Sequence, residues 1–84
     1  MKKEWEVVIH EPTVRRLLAC RQRDRENILT FLAGLAIHPD RRGDFTERDT
    51  SDRILQVVRT GRWLITYWSD HAVKEIRVVR IEKL

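Results

Sequence analysis

The sequence predicts an α+β fold: a two-helix hairpin packed on an antiparallel sheet of three to four strands, in the order β-α-α-β-β-β. Three observations carry this. Between residues 12 and 37 apolar side chains recur three and four positions apart, the spacing of helices that each bury one stripe. From Ile54 to Ile81, runs rich in Val, Ile and aromatic residues are separated by two polar turns, as in a meander of strands. The chain has 84 residues. A domain of that size buries only roughly 60–65% of its unfolded surface, so helices and sheet must share one core, and residues 1–84 read as a single domain.

The first element is Trp5-Glu6-Val7-Val8-Ile9-His10, which alternates around a β-branched centre. It is expected to join the sheet as a fourth strand, antiparallel to its neighbour. Pro12 ends it and suits the first turn of a helix, where its missing N–H costs nothing. Val14, Leu17 and Leu18 mark a short amphipathic helix to about Cys20. Arg21-Gln22-Arg23-Asp24 is a polar break, with Asp24 positioned to cap the next helix. Ile28, Leu29, Phe31, Leu32, Leu35 and Ala36 give that helix a wide apolar face, and His38-Pro39 stops it, because the residue before proline disfavours helix.

Residues 38–52 form a polar linker, long for a compact domain and therefore mobile or functional. Phe45 is its only large apolar residue and is expected to anchor it to the core. Ile54–Val58 reads as a strand, and Arg59-Thr60-Gly61-Arg62 as a turn whose glycine supplies a positive φ. Trp63–Trp68 is the second strand of the meander, Ser69-Asp70-His71 a second turn and Val73–Ile81 the last strand. The expected core includes Leu17, Ile28, Leu32, Leu35, Ile65 and Val78.

Lys and Arg number 17 against 13 Asp and Glu, a net charge of +4. Residues 1–37 carry +2, residues 38–52 carry −2 and residues 53–84 carry +4. The C-terminal part is the expected footprint for a polyanion or an acidic partner, the alternative being an ordinary solvated basic surface. At 42% hydrophobic and 36% charged residues, the composition is that of a globular chain. No apolar run nears the ~18 residues of a membrane helix. The start lacks the apolar stretch of a signal peptide. The single cysteine, Cys20, excludes an internal disulfide. The expected setting is the cytoplasm, with no membrane partner. No two histidines stand at metal-ligand spacing, so no metal or other cofactor is expected.

Three stretches carry a resemblance: Gly43-Asp44-Phe45-Thr46-Glu47-Arg48-Asp49, Trp63-Leu64-Ile65-Thr66-Tyr67-Trp68, and Asp70-His71-Ala72-Val73-Lys74-Glu75-Ile76-Arg77-Val78-Val79. Together with a helical hairpin ending Leu35-Ala36-Ile37-His38-Pro39, they resemble the RelE/ParE superfamily of bacterial toxins over nearly the whole chain. The resemblance implies the toxin component of a type II toxin–antitoxin system. A cognate antitoxin would hold it silent by folding an extended, partly helical segment around it. It also implies a target. One is the ribosome and its mRNA, cut by a metal-independent, ribosome-dependent endoribonuclease, with inhibition of translation. The other is DNA gyrase, inhibited without nuclease activity. A degenerate member that only binds its antitoxin is the third possibility.

In such nucleases the RNA 2′-hydroxyl attacks the adjacent phosphate. A base takes its proton, an acid protonates the leaving oxygen, and cations hold the added charge. Family members place lysines on the first meander strand, an arginine on the second, and an arginine with a tyrosine just past the last. Here Ile54-Leu55-Gln56-Val57-Val58 has no lysine, the second strand has Arg62 only at its mouth, and the sequence reaches Lys83-Leu84 without the Arg/Tyr segment. The remaining catalytic candidates are Arg62, Arg80 and His71. Those for RNA contact are Arg59, Arg77, Lys83 and Trp68.

The five cations from the hairpin and last strand are expected to form one electropositive region. Strict alternation nevertheless puts Arg77 with Lys83 on one face and Arg80 on the other. For each arginine, phosphate contact stands beside a solvated sheet edge that resists aggregation. His71 beside Asp70 is either an acid–base couple or part of a turn in which Asp70 bonds local backbone. His10 and His38 flank elements and read as structural, and Cys20 as a small buried residue. Trp63 and Tyr67 share one face. Trp68 falls on the other with Leu64 and Thr66, which makes it the aromatic expected to be exposed or covered by a partner.

Overall fold

The structure, a computed structural model, describes residues 4–84; Met1, Lys2 and Lys3, part of the stretch read above for a leader, lie outside them. The elements are β1 (Glu6–Ile9), α1 (Glu11–Leu18), α2 (Gln22–Ile37), β2 (Phe45–Arg48), β3 (Ile54–Thr60), β4 (Trp63–Asp70) and β5 (Glu75–Lys83). Both helices pack on one face of a five-stranded sheet ordered β1-β5-β4-β3-β2. The two-layer α+β arrangement is the expected one, but the sheet is larger and mixed.

β1 pairs with β5 in parallel, from Glu6 opposite Glu75 to Ile9 opposite Val78, where an antiparallel neighbour was expected. Val7, Val8 and Ile9 offer the same side chains to a partner running either way, so the strand's own pattern is blind to direction. The direction is seen only in the assembled sheet, where β5 runs with β1 on one side and against β4 on the other.

β2 lies inside the segment expected to be a linker. Its residues Phe-Thr-Glu-Arg are mostly exposed, so they carry no buried face to read. Backbone pairing with β3, Phe45 opposite Val57 through Arg48 opposite Ile54, makes it a strand. Phe45 does not anchor the segment: it is 48% exposed, because its register places it on the sheet face that no helix covers. Polar bonds do the anchoring. The Tyr67 hydroxyl donates to the Arg41 carbonyl at 2.7 Å, Ser69 Oγ donates to the Pro39 carbonyl, and Asp44 N donates to the Val57 carbonyl at 2.8 Å.

Pro12 falls in the first turn of α1, and Glu11 pairs with Arg15 one turn on at 2.7 Å. α2 begins at Gln22, two residues ahead of Asp24, so Asp24 does not cap it. The cap position is held by Arg21 in an extended conformation with no side-chain cap bond. Within the first turn, the Asp24 carboxylate still favours the positive end of the helix dipole. The helix ends at Ile37, and His38 before Pro39 stops it as expected.

Leu17, Ile28, Leu32, Leu35, Ile65 and Val78 are all buried, with Val58, Trp63, Tyr67, Ile76 and Ile81 in the same cluster. Trp5, Val7, Ile9 and Phe31 pack against its rim. Cys20 is buried beside it, and burial pushes its thiol pKa up, which leaves little thiolate to react.

Candidate nucleic-acid interface

The face of the sheet turned away from the helices collects most of the candidate residues, and one irregularity decides which. β4 and β5 pair without a break from Trp63 opposite Lys83 to Thr66 opposite Arg80. The next pair is Tyr67 opposite Val78. Val79 is thus an extra residue with no partner on β4, a β-bulge. Cross-strand partners share a face. Arg80, opposite Thr66, and Arg77, opposite Trp68, therefore both point to the open side. Lys83, opposite Trp63, points to the helix side. The expected alternation, Arg77 with Lys83 against Arg80, is overturned because the bulge reverses parity between Val78 and Arg80.

Trp68 is on the open face with Leu64 and Thr66, and Trp63 and Tyr67 are buried on the other, as expected. Trp68 is half-buried and flanked by two guanidinium groups: Arg53 Cζ lies 3.9 Å from its ring centroid and Arg77 Cζ 5.7 Å. Such contacts are worth about 0.5–1 kcal/mol each at partly exposed sites. Arg53, missed in the sequence, had one signal: it immediately precedes β3, across the sheet from Trp68. A shallow recess beside this group is walled by Arg53, Trp68, Arg77, Arg80, Leu55 and Asp49.

Carboxylates hold every one of these arginines. Arg53 meets Asp49 at 3.4 Å. Arg77 meets Glu75 at 2.8 Å and lies 3.5 Å from Asp70, its buried Nε making no hydrogen bond. Arg80 is bonded to Glu47 and lies 2.6 Å from Glu82. The hydrogen bond to Glu47 raises the Arg80 pKa further above its usual value, so the group stays charged throughout. The open face is therefore a lattice of paired charges, and an incoming phosphate has carboxylates to displace.

The other candidates lie outside this group, Arg59 on the same face by its pairing with Leu64 but at the far end of β3. Arg62 is in the turn before β4 and His71 in the turn after it. The eight residues of β4 put roughly 25 Å between them at ~3.3 Å per residue, so Arg62, Arg80 and His71 do not converge. His71 does not pair with Asp70. Its Nε2 is 3.0 Å from Asp40 Oδ1, and its ring meets Trp5 edge-on with centroids 4.9 Å apart. Asp70 Oδ1 accepts from the Ala72 N–H at 3.2 Å, the turn chemistry given as the alternative. Arg59 closes the end of β3, its Nε donating to the Gly61 carbonyl at 3.1 Å, and Gly61 takes the expected positive φ of 60°. The single electropositive region expected of Arg59, Arg62, Arg77, Arg80 and Lys83 is thus split between two faces and two levels of the sheet. Among the described residues, no three His, Cys, Asp or Glu side chains cluster to hold a metal. No helix of the described residues is long and apolar enough to cross a membrane.

No protein-family model matches the sequence, and neither does any curated protein. Solved structures do match. A chain of the archaeal RelE–RelB complex from Pyrococcus horikoshii OT3 superposes with a TM-score of 0.78 at 21% identity, over 96% of each chain. A chain of the toxin–antitoxin complex RelBE2 from Mycobacterium tuberculosis gives 0.79 at 18% identity, over 98% of this chain and all of that one. The described sheet and helices thus have the fold found in RelE–RelB complexes, from end to end.

Proposed function

We propose that this protein is the toxin component of a type II toxin–antitoxin system, neutralised by a cognate antitoxin, and that it inhibits translation in the bacterial cytoplasm by ribosome-dependent cleavage of mRNA. The observation that carries the reading is the end-to-end likeness to chains of two toxin–antitoxin complexes, with 96–98% of this chain covered. The open face supports the nucleic-acid part. Arg77 and Arg80 lie on one side of the bulge-bearing strand with Trp68 beside them, two cations for phosphate and an indole for a base. On that reading the arginines would stabilise the charge that builds on phosphate as the 2′-hydroxyl attacks.

One observation favours a second reading, a gyrase inhibitor or an antitoxin-binding protein without nuclease activity. Arg77 and Arg80 are each already flanked by two carboxylates, and no lysine stands on β3 to support the attacking oxygen. The test is expression in bacteria with and without a candidate antitoxin, followed by mapping of mRNA ends and of plasmid supercoiling. Growth arrest with new cuts in ribosome-bound mRNA supports the first reading. Arrest with altered supercoiling and intact mRNA replaces it with the second. No arrest at all removes the toxic activity and leaves only the antitoxin-binding form of the second reading. Purified protein should leave naked RNA largely uncut, and robust cleavage at low enzyme concentration would show the site to be of another kind.

A further inference from the structure

On the helix side of the sheet, at the β3–β4 hairpin end, two adjoining recesses share Arg21, Asp24 and Lys83. One, of about 260 Å³, is also lined by Arg16 and Trp63. The other is also lined by Arg23 and Arg62. Five cations thus face one carboxylate. Unlike Arg53, Arg77 and Arg80, none of the five has an ion pair among the described residues. Five like charges gathered with so little compensation make the recess a favourable place for an anion.

Two further features point the same way. The N-terminus of α2, a 16-residue helix, opens here with Arg21 in the cap position and no side chain bonded to its first N–H groups. Those donors and the helix dipole favour negative charge. Independently, Trp63 is 7% exposed, lines the first recess, and has an indole Nε1 that is buried with no hydrogen-bond partner. A buried N–H left unmatched costs about 1–3 kcal/mol, a cost recovered if a small shift of the recess wall lets an acceptor reach it.

We propose that this helix-side recess, formed by Arg16, Arg21, Arg23, Arg62, Trp63 and Lys83, binds a phosphate group. A carboxylate carries one charge and two acceptor atoms, which would leave most of the cluster uncompensated. A phosphate offers more acceptors in a geometry that arginine forks match. The site is separate from the open face, since Lys83 and Trp63 lie on the opposite side of the sheet from Arg77 and Arg80. The inference therefore does not rest on the toxin reading. The phosphate has two possible sources, a nucleic-acid backbone or a small free phosphate.

The test follows the indole N–H signals of ¹⁵N-labelled full-length protein, that of Trp63 being the one missing from Trp63→Phe. Inorganic phosphate and a short single-stranded oligouridylate are titrated separately. A saturable shift of the Trp63 signal with either probe is expected, and the probe that saturates first gives the source. The triple variant Arg21→Gln, Arg23→Gln and Lys83→Gln, all at exposed positions, should weaken that binding at least about tenfold and should lose about 0.7 per contact from the oligonucleotide's log–log salt slope. Its melting temperature should stay near that of the parent. An equal-charge control, Arg15→Gln, Arg42→Gln and Arg48→Gln, should leave the Trp63 shift in place. A Trp63 signal unmoved by both probes, or a control that weakens binding as much as the triple variant, overturns the proposal.

Discussion

The Thr13 hydroxyl donates a 3.1 Å hydrogen bond to the carbonyl of Val79, the residue of β5 without a partner on β4. Thr13 is buried on α1, so the helix satisfies the polar group that the bulge frees. The bulge in turn brings Arg77 and Arg80 to one face. A single buried hydroxyl on the helix layer thus supports the arrangement of charges on the far side of the sheet.

Thr13→Val keeps the shape of that side chain and removes the donor. It should cost about 1–3 kcal/mol, the penalty for leaving a buried carbonyl unpaired. It should also speed amide hydrogen exchange in residues 78–81. Denaturant unfolding checks the first effect and exchange measurements the second. Unchanged values in both would mean that the bulge holds itself.

Gly43 lies against the backbone of β3. A Cβ there would stand 2.5 Å from the Val57 carbonyl oxygen and 2.6 Å from its nitrogen, contacts that backbone on both sides cannot relieve cheaply. Gly43→Ala should push the segment away from β3, weakening the Asp44 N to Val57 carbonyl bond (2.8 Å) and the Gly43 N to Gln56 Oε1 bond (2.8 Å). We expect a loss of about 1–3 kcal/mol, in the range of overpacking, with faster proteolysis within residues 40–52. A variant as stable and protease-resistant as the parent would contradict this close approach.

Glu47 and Glu82 hold Arg80 in place. Glu47→Gln with Glu82→Gln should leave Arg80 free to meet phosphate. Single-stranded RNA should then bind more tightly, and its salt dependence should steepen by about 0.7 in log–log slope for one added contact. Equilibrium titration at two salt concentrations measures both. Arg77→Gln with Arg80→Gln should act in the opposite sense. If neither double variant changes RNA binding, the open face is not a nucleic-acid interface.

Tyr67 is the only tyrosine in the chain and is fully buried, its hydroxyl bonded to the Arg41 carbonyl. Burial raises its pKa above the usual 10.0. Folding therefore favours the protonated phenol. That contribution is complete below pH 10 and is lost as pH rises through the raised value in the folded state. Phenolate absorbance should appear at higher pH in native than in unfolded protein. Tyr67→Phe should lose stability at neutral pH, where the Arg41 carbonyl is left without its donor, and should lose less than the parent on moving to alkaline pH. Coincident native and unfolded titrations would refute the assignment.

Much of this protein was legible in the sequence. Helical and strand periodicities located α1, α2 and the β3–β4–β5 meander, and with them Leu17, Ile28, Leu32, Leu35, Ile65 and Val78 in the core. They also put Trp68 on the face opposite Trp63 and Tyr67. Those properties depend only on which neighbours along the chain are apolar. The candidate site depended on partners far away. The parallel direction of β1, the strand hidden in Phe45–Arg48 and the contact of His71 with Asp40 each come from an element distant in sequence. Above all, counting by twos from Arg77 separated it from Arg80. The extra residue between them exists only relative to β4, and its carbonyl is satisfied by a hydroxyl 66 positions earlier. A strand's own pattern records which residues alternate, whereas the number of residues set against each partner is fixed by hydrogen bonds across the assembled sheet.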